Sequence, residues 1–153
     1  MSNIHIRPAT TADLPTLYRF EQGVIAAERP FDPTLKPDPN SYYDLPAMIA
    51  GPDVQLLVAE LDGELAASGY ARIEPAKSYL RHATYAYLGF MYVEPAHRGK
   101  GINSLIIEEL RLWARSRGIT ELRLDVYDLN TPAIRAYQKA GFIRHMLNMR
   151  RPV

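Results

Sequence analysis

The chain has 153 residues, of which 47% are hydrophobic and 23% charged, and these values predict one globular domain over residues 1–153. Lysine and arginine number 18 against 17 acidic residues, so the net charge of +1 gives no overall field that would attract nucleic acid or an anionic membrane. The absence of cysteine excludes disulfides, thiolate metal sites and a cysteine acyl-enzyme. No apolar stretch approaches the ~20 residues that cross a bilayer, and the N-terminus has no signal-peptide pattern, which predicts a cytoplasmic protein.

The first third of the chain predicts a strand, two helices and a proline-rich connection. Residues 4–7 alternate apolar and polar and stop at Pro8, which favours a short strand. From Thr11 to about Ala27 apolar residues recur three and four apart, the spacing of an amphipathic helix. Prolines at positions 30, 33, 37 and 39 then predict a loop or extended arm. A second, short helix is expected from Ser41 toward Ile49.

The middle of the chain predicts an antiparallel hairpin followed by a long strand. Two β-like runs, at residues 54–61 and 64–73, flank Asp62-Gly63, a pair that suits a type I′ turn. Residues 85–93 form an aromatic-rich strand candidate, and Gly89 within it predicts a bulge.

The last third predicts two more helices with strands between and after them. Apolar residues from Ile102 to Ala114 recur at helical spacing, and Gly118 stands at the usual stop position. A strand is expected over residues 122–127, a helix from Thr131 to near Gly141, and a closing strand or hairpin over residues 142–149. This order predicts a mixed α/β sheet in which residues 85–93 and 122–127 are parallel neighbours, with a ligand at their carboxyl ends.

Between the strand that ends at Val93 and the helix that begins near Ile102 lies a short basic loop with two glycines. Gly99 and Gly101 let the backbone N–H groups converge, the helix N-terminus adds positive potential, and Arg98 and Lys100 add mobile charge. The loop therefore predicts a site for a pyrophosphate. A tight turn with two solvated basic residues is the alternative. Neither the P-loop pattern of nucleoside triphosphatases nor the GxGxxG dinucleotide fingerprint occurs here.

The motif Arg98-Gly99-Lys100-Gly101-Ile102-Asn103 resembles the Arg/Gln-x-x-Gly-x-Gly/Ala hallmark of the GNAT superfamily of acyl-CoA-dependent N-acyltransferases. Residues 130–142 are similar to a second family pattern, Asn-x-x-Ala-x-x-x-Tyr-x-x-x-Gly-Phe. The resemblance implies a mostly antiparallel central sheet flanked by helices, with a splayed parallel strand pair that forms the cofactor cleft. Asn103 departs from the usual Gly or Ala; asparagine can adopt left-handed backbone angles and offers an amide donor.

The resemblance also implies acetyl-CoA as cosubstrate and direct transfer to a primary amine in a ternary complex, and it is compatible with a homodimer. Tyr137 would protonate the coenzyme A thiolate; a core tyrosine is the alternative. Asn130 would bond the pantetheine arm; a turn or cap asparagine is the alternative. The backbone of Met91 and Val93 would contact the cofactor, as would Asn130. Further contacts would come from the loop and the helix start, at Arg98, Gly99, Lys100, Gly101, Asn103 and Ser104.

The residues leave the general base and the acceptor open. The strand over residues 85–93 contains no Asp or Glu. The local alternatives for the base are Glu74, His82, Tyr85, Tyr87 and Glu94. Each could act directly or through water, or could be a structural or solvated group. The acceptor is a small-molecule or peptide amine, and acidic and aromatic residues of the first half could hold its cation or merely cover the core: Phe31, Asp32, Asp38, Tyr42, Tyr43 and Asp44. Four histidines without ligand spacing predict no metal.

The sequence leaves two other classes of function as alternatives to an acetyltransferase. Asn103 and the missing strand carboxylate favour a noncatalytic acyl-CoA-binding or sensory domain, against which Tyr137 argues. A nucleic-acid-binding module would use Arg98, Lys100 and the Arg150-Arg151 pair, but the near-neutral charge and the absence of a nucleic-acid motif argue against it.

Overall fold

The computed structural model describes residues 3–153, which form one five-stranded sheet flanked by helices. The strands lie side by side in chain order: β1 (Ile4–Pro8), β2 (Val54–Leu61), β3 (Glu64–Pro75), β4 (Thr84–Val93) and β5 (Leu122–Arg123). The helices are α1 (Leu14–Glu28), α2 (Leu45–Ala50), α3 (Ile102–Ser116) and α4 (Thr131–Lys139). Every neighbouring pair is antiparallel except β4 and β5, which are parallel. The mixed, mostly antiparallel sheet predicted from the sequence is confirmed.

Two apolar clusters hold the helices to opposite faces of the sheet, because successive strand residues point to opposite sides. The buried stripe of α3, including Ile106 and Leu110, packs on one face against residues such as Leu57. Leu17 and Phe20 of α1 pack on the other face. Burying each such side chain contributes ~1.5–3 kcal/mol. Helices α1 and α3 therefore brace the sheet from its two sides.

The β2–β3 hairpin forms where the sequence predicts it. Asp62 and Gly63 both have positive φ, 53° and 85°, as a type I′ turn requires, and only Asp, Asn or Gly tolerate such angles readily.

A bulge interrupts β4 beside Gly89, as predicted. Ser68 opposes Tyr92 and Tyr70 opposes Gly89, so Phe90 and Met91 together face one β3 residue. Phe90 has a φ of 54°, and its carbonyl accepts a hydrogen bond from the buried Ser68 hydroxyl at 3.0 Å. The bulge therefore turns the backbone of Phe90 and Met91 out of the regular ladder.

Two predicted element bounds are wrong. The second helix begins at Leu45, not Ser41, because the Asp44 carboxylate caps it by accepting from the Ala47 N–H at 3.2 Å. Within the described residues β5 pairs only with Ala86 and Tyr87 and ends at Arg123, so residues 124–127 are not strand. A side-chain hydrogen bond from Tyr87 to Asp125 replaces the ladder there.

The closing strand predicted over residues 142–149 is also absent from the part of the chain that the structure describes. A strand needs a neighbouring ladder edge, and residues 124–128 offer none because they have left the sheet. The segment is instead largely solvated, with Ile143, Met146 and Met149 exposed by 86%, 80% and 83%.

Candidate active site

A cleft opens between β4 and β5, where the two parallel strands separate. The Tyr87 hydroxyl donates to Asp125 Oδ2 at 3.0 Å. A tyrosine side chain therefore lies between β4 and the segment after β5, where paired strands would be only ~4.8 Å apart. From residue 88 to 93, β4 has no strand partner on this side among residues 3–153. Met91 and Val93 lie on this open stretch. The exposed edge is suited to pairing with an extended ligand.

The glycine loop closes the upper end of the cleft. Gly99 and Gly101 have φ of 78° and 77°, the left-handed conformation that other residues adopt at a cost. Gly101 is the N-cap of α3, and the N–H groups of the first helical turn, from Ile102 to Ser104, have no acceptor within residues 3–153. These free donors and the positive helix end are suited to an anion.

The charged side chains of the loop point back to the strand end. Arg98 Nε donates to the Val93 carbonyl at 2.9 Å, and its guanidinium lies 5.8 Å from the centre of the Tyr92 ring. Lys100 Nζ lies 3.4 Å from His97 Nδ1. Arg98 therefore fixes the end of β4, whereas the exposed Lys100 keeps two of its three donors free.

Asn103 and Ser104 lie in the first turn of α3. Asn103 is half-buried and has a right-handed helical conformation, so the left-handed angles considered for it are not used. Asparagine fits at this position, where the family pattern has Gly or Ala, because the position needs only an ordinary helical φ angle.

Helix α4 carries the two residues predicted from the second motif. Asn130 is its N-cap, and Oδ1 accepts from the Ala133 N–H at 3.4 Å, which leaves the amide nitrogen available. Tyr137 is partly buried against the α3-side cluster, and its ring meets Phe142 edge-on at 5.9 Å between centroids. Burial raises the pKa of Tyr137, and the charge of Glu28 raises it further. The phenol therefore stays protonated at neutral pH, as a proton donor requires.

Four of the five candidate bases from the sequence are engaged by other groups, and the fifth, His82, has a buried Nε2 without a hydrogen-bond partner within residues 3–153. Burial and Asp125 raise the pKa of Tyr87, so it stays protonated. Glu74 pairs with Arg72, and Glu94 pairs with Arg19 at 2.9 Å. At the start of β4, away from the glycine loop, His82 lies 3.4 Å from Glu121, and Arg123 covers the Tyr85 ring at 4.8 Å.

Two of the six predicted acceptor residues reach the far wall of the cleft. Phe31 stacks on Tyr127 at 5.8 Å between ring centroids, and the Tyr127 hydroxyl donates to Asp32 Oδ2 at 3.3 Å. Arg150 Nη2 also bonds Asp32, at 3.1 Å. The Thr34 hydroxyl and N–H, and then Arg150, lower the pKa of Asp32 to about 2. Asp32 is therefore a permanent anion at this wall.

The other four predicted acceptor residues divide between the core and the surface. Tyr43 packs into the core, 4.7 Å from Phe90 between ring centroids. The Tyr42 ring meets Tyr43 edge-on, and the Tyr42 hydroxyl is buried with no hydrogen-bond partner within residues 3–153. Asp38 pairs with Arg29 at 2.8 Å, and Asp44 caps α2.

Two carboxylates of α1 that the sequence reasoning missed belong to this wall. Glu21 is 2% exposed, and its Oε2 accepts from the N–H groups of Tyr42 and Tyr43 at 3.0 and 2.8 Å. Glu28 ends the helix and is half-buried. Both sit on the apolar stripe of α1, seven residues apart and hence on one face. The signal in the sequence that could have identified them is a charged residue at a position of the apolar stripe of α1.

Metal-ligating side chains are dispersed over the chain. No group of three or more His, Cys, Asp or Glu residues that could hold a metal ion occurs within residues 3–153. None of the helices described is long and apolar enough to cross a membrane.

The sequence matches a family model described as "Acetyltransferase (GNAT) family" over residues 22–142. Streptothricin acetyltransferase of Streptomyces lavendulae is 38% identical over 81 residues, which cover 53% of this chain and 40% of that protein. Thialysine N-epsilon-acetyltransferase of Bos taurus is 42% identical over 55 residues, 36% of this chain and 32% of that protein. The chain thus spans less than half the length of these curated relatives.

Solved structures share the fold over nearly the whole chain. A point mutant of the BH1408 protein from Bacillus halodurans superposes with a TM-score of 0.86 at 22% identity, covering 97% of this chain and 99% of that one. A Clostridium acetobutylicum protein described as a "predicted acetyltransferase with acetyl-CoA" gives 0.71 at 21% identity, covering 96% of both chains.

Proposed function

Because the chain belongs to the GNAT acetyltransferase family, we propose that it is an N-acetyltransferase that passes the acetyl group of acetyl-CoA directly to a primary amine in a ternary complex. The observation that carries the proposal is the open edge of β4, which leads through one short 3-10 turn at Pro95–His97 into the glycine loop and the free N–H groups of α3. An extended thioester arm with a pyrophosphate at one end is complementary to that shape.

Donor binding would use the backbone more than side chains. The N–H groups around Gly99 and Gly101 would hold the pyrophosphate, with Lys100, Asn103 and Ser104 beside it. Met91 and the Val93 N–H would pair with the pantetheine amides, since Arg98 already occupies the Val93 carbonyl. The free amide nitrogen of Asn130 would donate to the same arm from the opposite wall.

Tyr137 would act as the acid of the reaction. As the amine nitrogen bonds to the acetyl carbon, the carbon–sulfur bond breaks and the departing thiolate takes the Tyr137 proton. Because the chain contains no cysteine, the acetyl group has no thiol on the protein to rest on. A cysteine-linked two-step route is therefore closed, which supports direct transfer.

The acceptor would enter from the α1 side as a small cationic amine. Asp32 supplies a fixed negative charge, and the stacked Phe31 and Tyr127 rings supply a face for a cation. The curated relatives named above are described by small-molecule acceptors, streptothricin and thialysine, which agrees with this class.

The test combines acetyl-CoA titration with a free-thiol assay over a panel of amines. Tyr137→Phe should leave acetyl-CoA affinity within about twofold of wild type and lower kcat by about 10²-fold or more. Tyr79→Phe removes a hydroxyl from a side chain that is 76% exposed and should leave both unchanged. Acetyl-CoA binding without thiol release for any amine would instead indicate an acyl-CoA-binding domain.

A further inference from the structure

Glu28 is the last residue of α1, and its charge acts on Tyr137 of α4. Its carbonyl accepts from the N–H groups of Phe31 and Asp32 at 2.9 and 3.2 Å, so the turn that carries these two residues is built on the end of the helix. Phe31 and Asp32 both contact Tyr127, which precedes the Asn130 cap of α4. Glu28 therefore sits between the acceptor wall and the helix that carries Tyr137.

The Glu28 carboxylate has no cation of its own within the part of the chain that the structure describes. Glu74 and Glu94 each hold an arginine, and so does Asp32. A half-buried carboxylate without such a partner costs stability, which proteins usually avoid unless a ligand supplies the missing charge. The position therefore calls for a cation from outside the chain.

Several titratable side chains from four segments face this carboxylate. Its charge contributes to the raised pKa of tyrosines on both walls of the cleft, Tyr42, Tyr43, Tyr127 and Tyr137, in each case after burial. Burial also raises the pKa of Glu28 itself; the nearby Tyr42 hydroxyl opposes this shift, and the Asp32 charge adds to it. Arg150 belongs to the same network, and it is held by Asp32.

The Tyr42 hydroxyl is a second polar atom at the same place, close enough to the Glu28 carboxylate to oppose the rise of its pKa. The hydroxyl is buried, and it forms no hydrogen bond of ordinary length and angle with any group within residues 3–153. Folded proteins rarely leave a buried polar atom in this condition. An ammonium group has three donors. The carboxylate of Glu28 and the oxygen of Tyr42 could accept two of them, with the third directed at a water or at Asp32.

We propose that Glu28 binds the ammonium group of the acceptor beside Tyr137 and removes its proton before attack. This inference rests on the proposed acetyltransferase function and supplies the base that β4 does not carry. The ammonium gives one proton to Glu28, and the free amine forms the nitrogen–carbon bond. When the carbon–sulfur bond breaks, the thiolate takes the Tyr137 proton; the tyrosine regains one from the new amide nitrogen, and Glu28 releases its own to solvent.

Glu28→Gln tests the assignment, with Glu109→Gln on the exposed face of α3 as the matched control. We expect Glu28→Gln to lower kcat/KM by about 10²-fold or more at pH 7 and to leave acetyl-CoA affinity unchanged. The acidic limb of the wild-type pH profile should disappear in this variant, and Glu28→Asp should restore part of the rate. Wild-type activity in Glu28→Gln would overturn the assignment.

A stability measurement separates this role from a structural one. A carboxyl group whose pKa is raised on folding contributes its full stabilisation at pH values below its unfolded-state pKa. That stabilisation is lost as the pH rises through the folded-state pKa. Once ionised, Glu28 therefore no longer contributes this stability. Glu28→Gln should unfold at the same temperature as wild type or higher, whereas a clearly lower Tm would show that the carboxylate supports the fold.

A binding experiment decides the assignment without turnover. Carbon-13 NMR of the glutamate carboxyl groups, assigned with Glu28→Gln, is recorded during titration with 1,4-diaminobutane. The Glu28 signal should shift and its apparent pKa should fall on saturation. A Glu28 signal that does not move overturns the inference. Absence of thiol release in the wild type would overturn the proposed function instead, and a shifted Glu28 signal would still support an amine site.

Discussion

The cleft has two walls, the proposed donor wall and the proposed acceptor wall, and they are built in different ways. The donor wall, from Phe90 to Ser104, consists of a bulged strand edge, two left-handed glycines and a helix start. The acceptor wall, residues 28–44, is an irregular segment fixed by side chains. Glu21 bonds its backbone, and Tyr127 and Arg150 bond Asp32 from 95 and 118 residues away.

This difference explains why the backbone features of the proposed donor wall follow from local sequence, whereas only Phe31 and Asp32 of the six residues named for the acceptor meet Tyr127. Backbone geometry depends on neighbours in the chain, so glycine spacing after a strand predicts the anion loop locally. Side-chain constellations depend on which distant segments the fold brings together. We therefore expect substitutions on the two walls to separate donor affinity from acceptor affinity.

Among the substitutions that test substrate affinity, the largest effect is expected for Gly101→Val on the donor wall. Its φ of 77° is strained for a β-branched residue, although no atom lies near the added carbon. The N-terminal turn of α3 should shift, and acetyl-CoA should bind about tenfold or more weakly by titration calorimetry.

Gly118→Val is the matched control, because Gly118 has a φ of 76° at the other end of α3. It should lower Tm to a similar extent and leave acetyl-CoA affinity unchanged. Equal losses of affinity in both variants would show that the effect is on folding alone.

Glu21→Gln should loosen the acceptor wall. The variant weakens two charge-assisted bonds to the buried backbone of Tyr42 and Tyr43, a change worth about 1–3 kcal/mol in the free energy of unfolding. Chemical denaturation should show that loss, and the KM for the amine should rise several-fold while acetyl-CoA affinity holds. Glu109→Gln serves again as the exposed control; a rise in acetyl-CoA Kd for Glu21→Gln would contradict the division into two walls.

Arg150→Ala should have the smallest effect, and in the opposite direction. Arg150 occupies Asp32 as a cationic acceptor would, and exposed ion pairs are weak. Its removal should lower the KM for a cationic amine by about two- to fivefold, whereas the neighbouring Arg151→Ala should change nothing. An increase in KM for Arg150→Ala would show that the arginine helps to hold the acceptor.

Some of the fold was also beyond local pattern. The Asp62-Gly63 turn, the Gly89 bulge and the α3 start depend on residues close in sequence and were predicted. The segment over residues 142–149 is rich in apolar residues but has no ladder edge to join, because the Tyr87–Asp125 bridge holds residues 124–127 away from β4. Glu28 was missed because its significance lies in Tyr42, Tyr127 and Tyr137, which only the folded chain places around it.

The central claim is direct transfer between two bound substrates. Initial rates of thiol release, measured while acetyl-CoA and one active amine are both varied, test it most directly. A ternary-complex mechanism predicts intersecting lines in double-reciprocal plots. Parallel lines would indicate an acetylated protein intermediate, and thiol release that does not depend on the amine would contradict amine acetylation altogether.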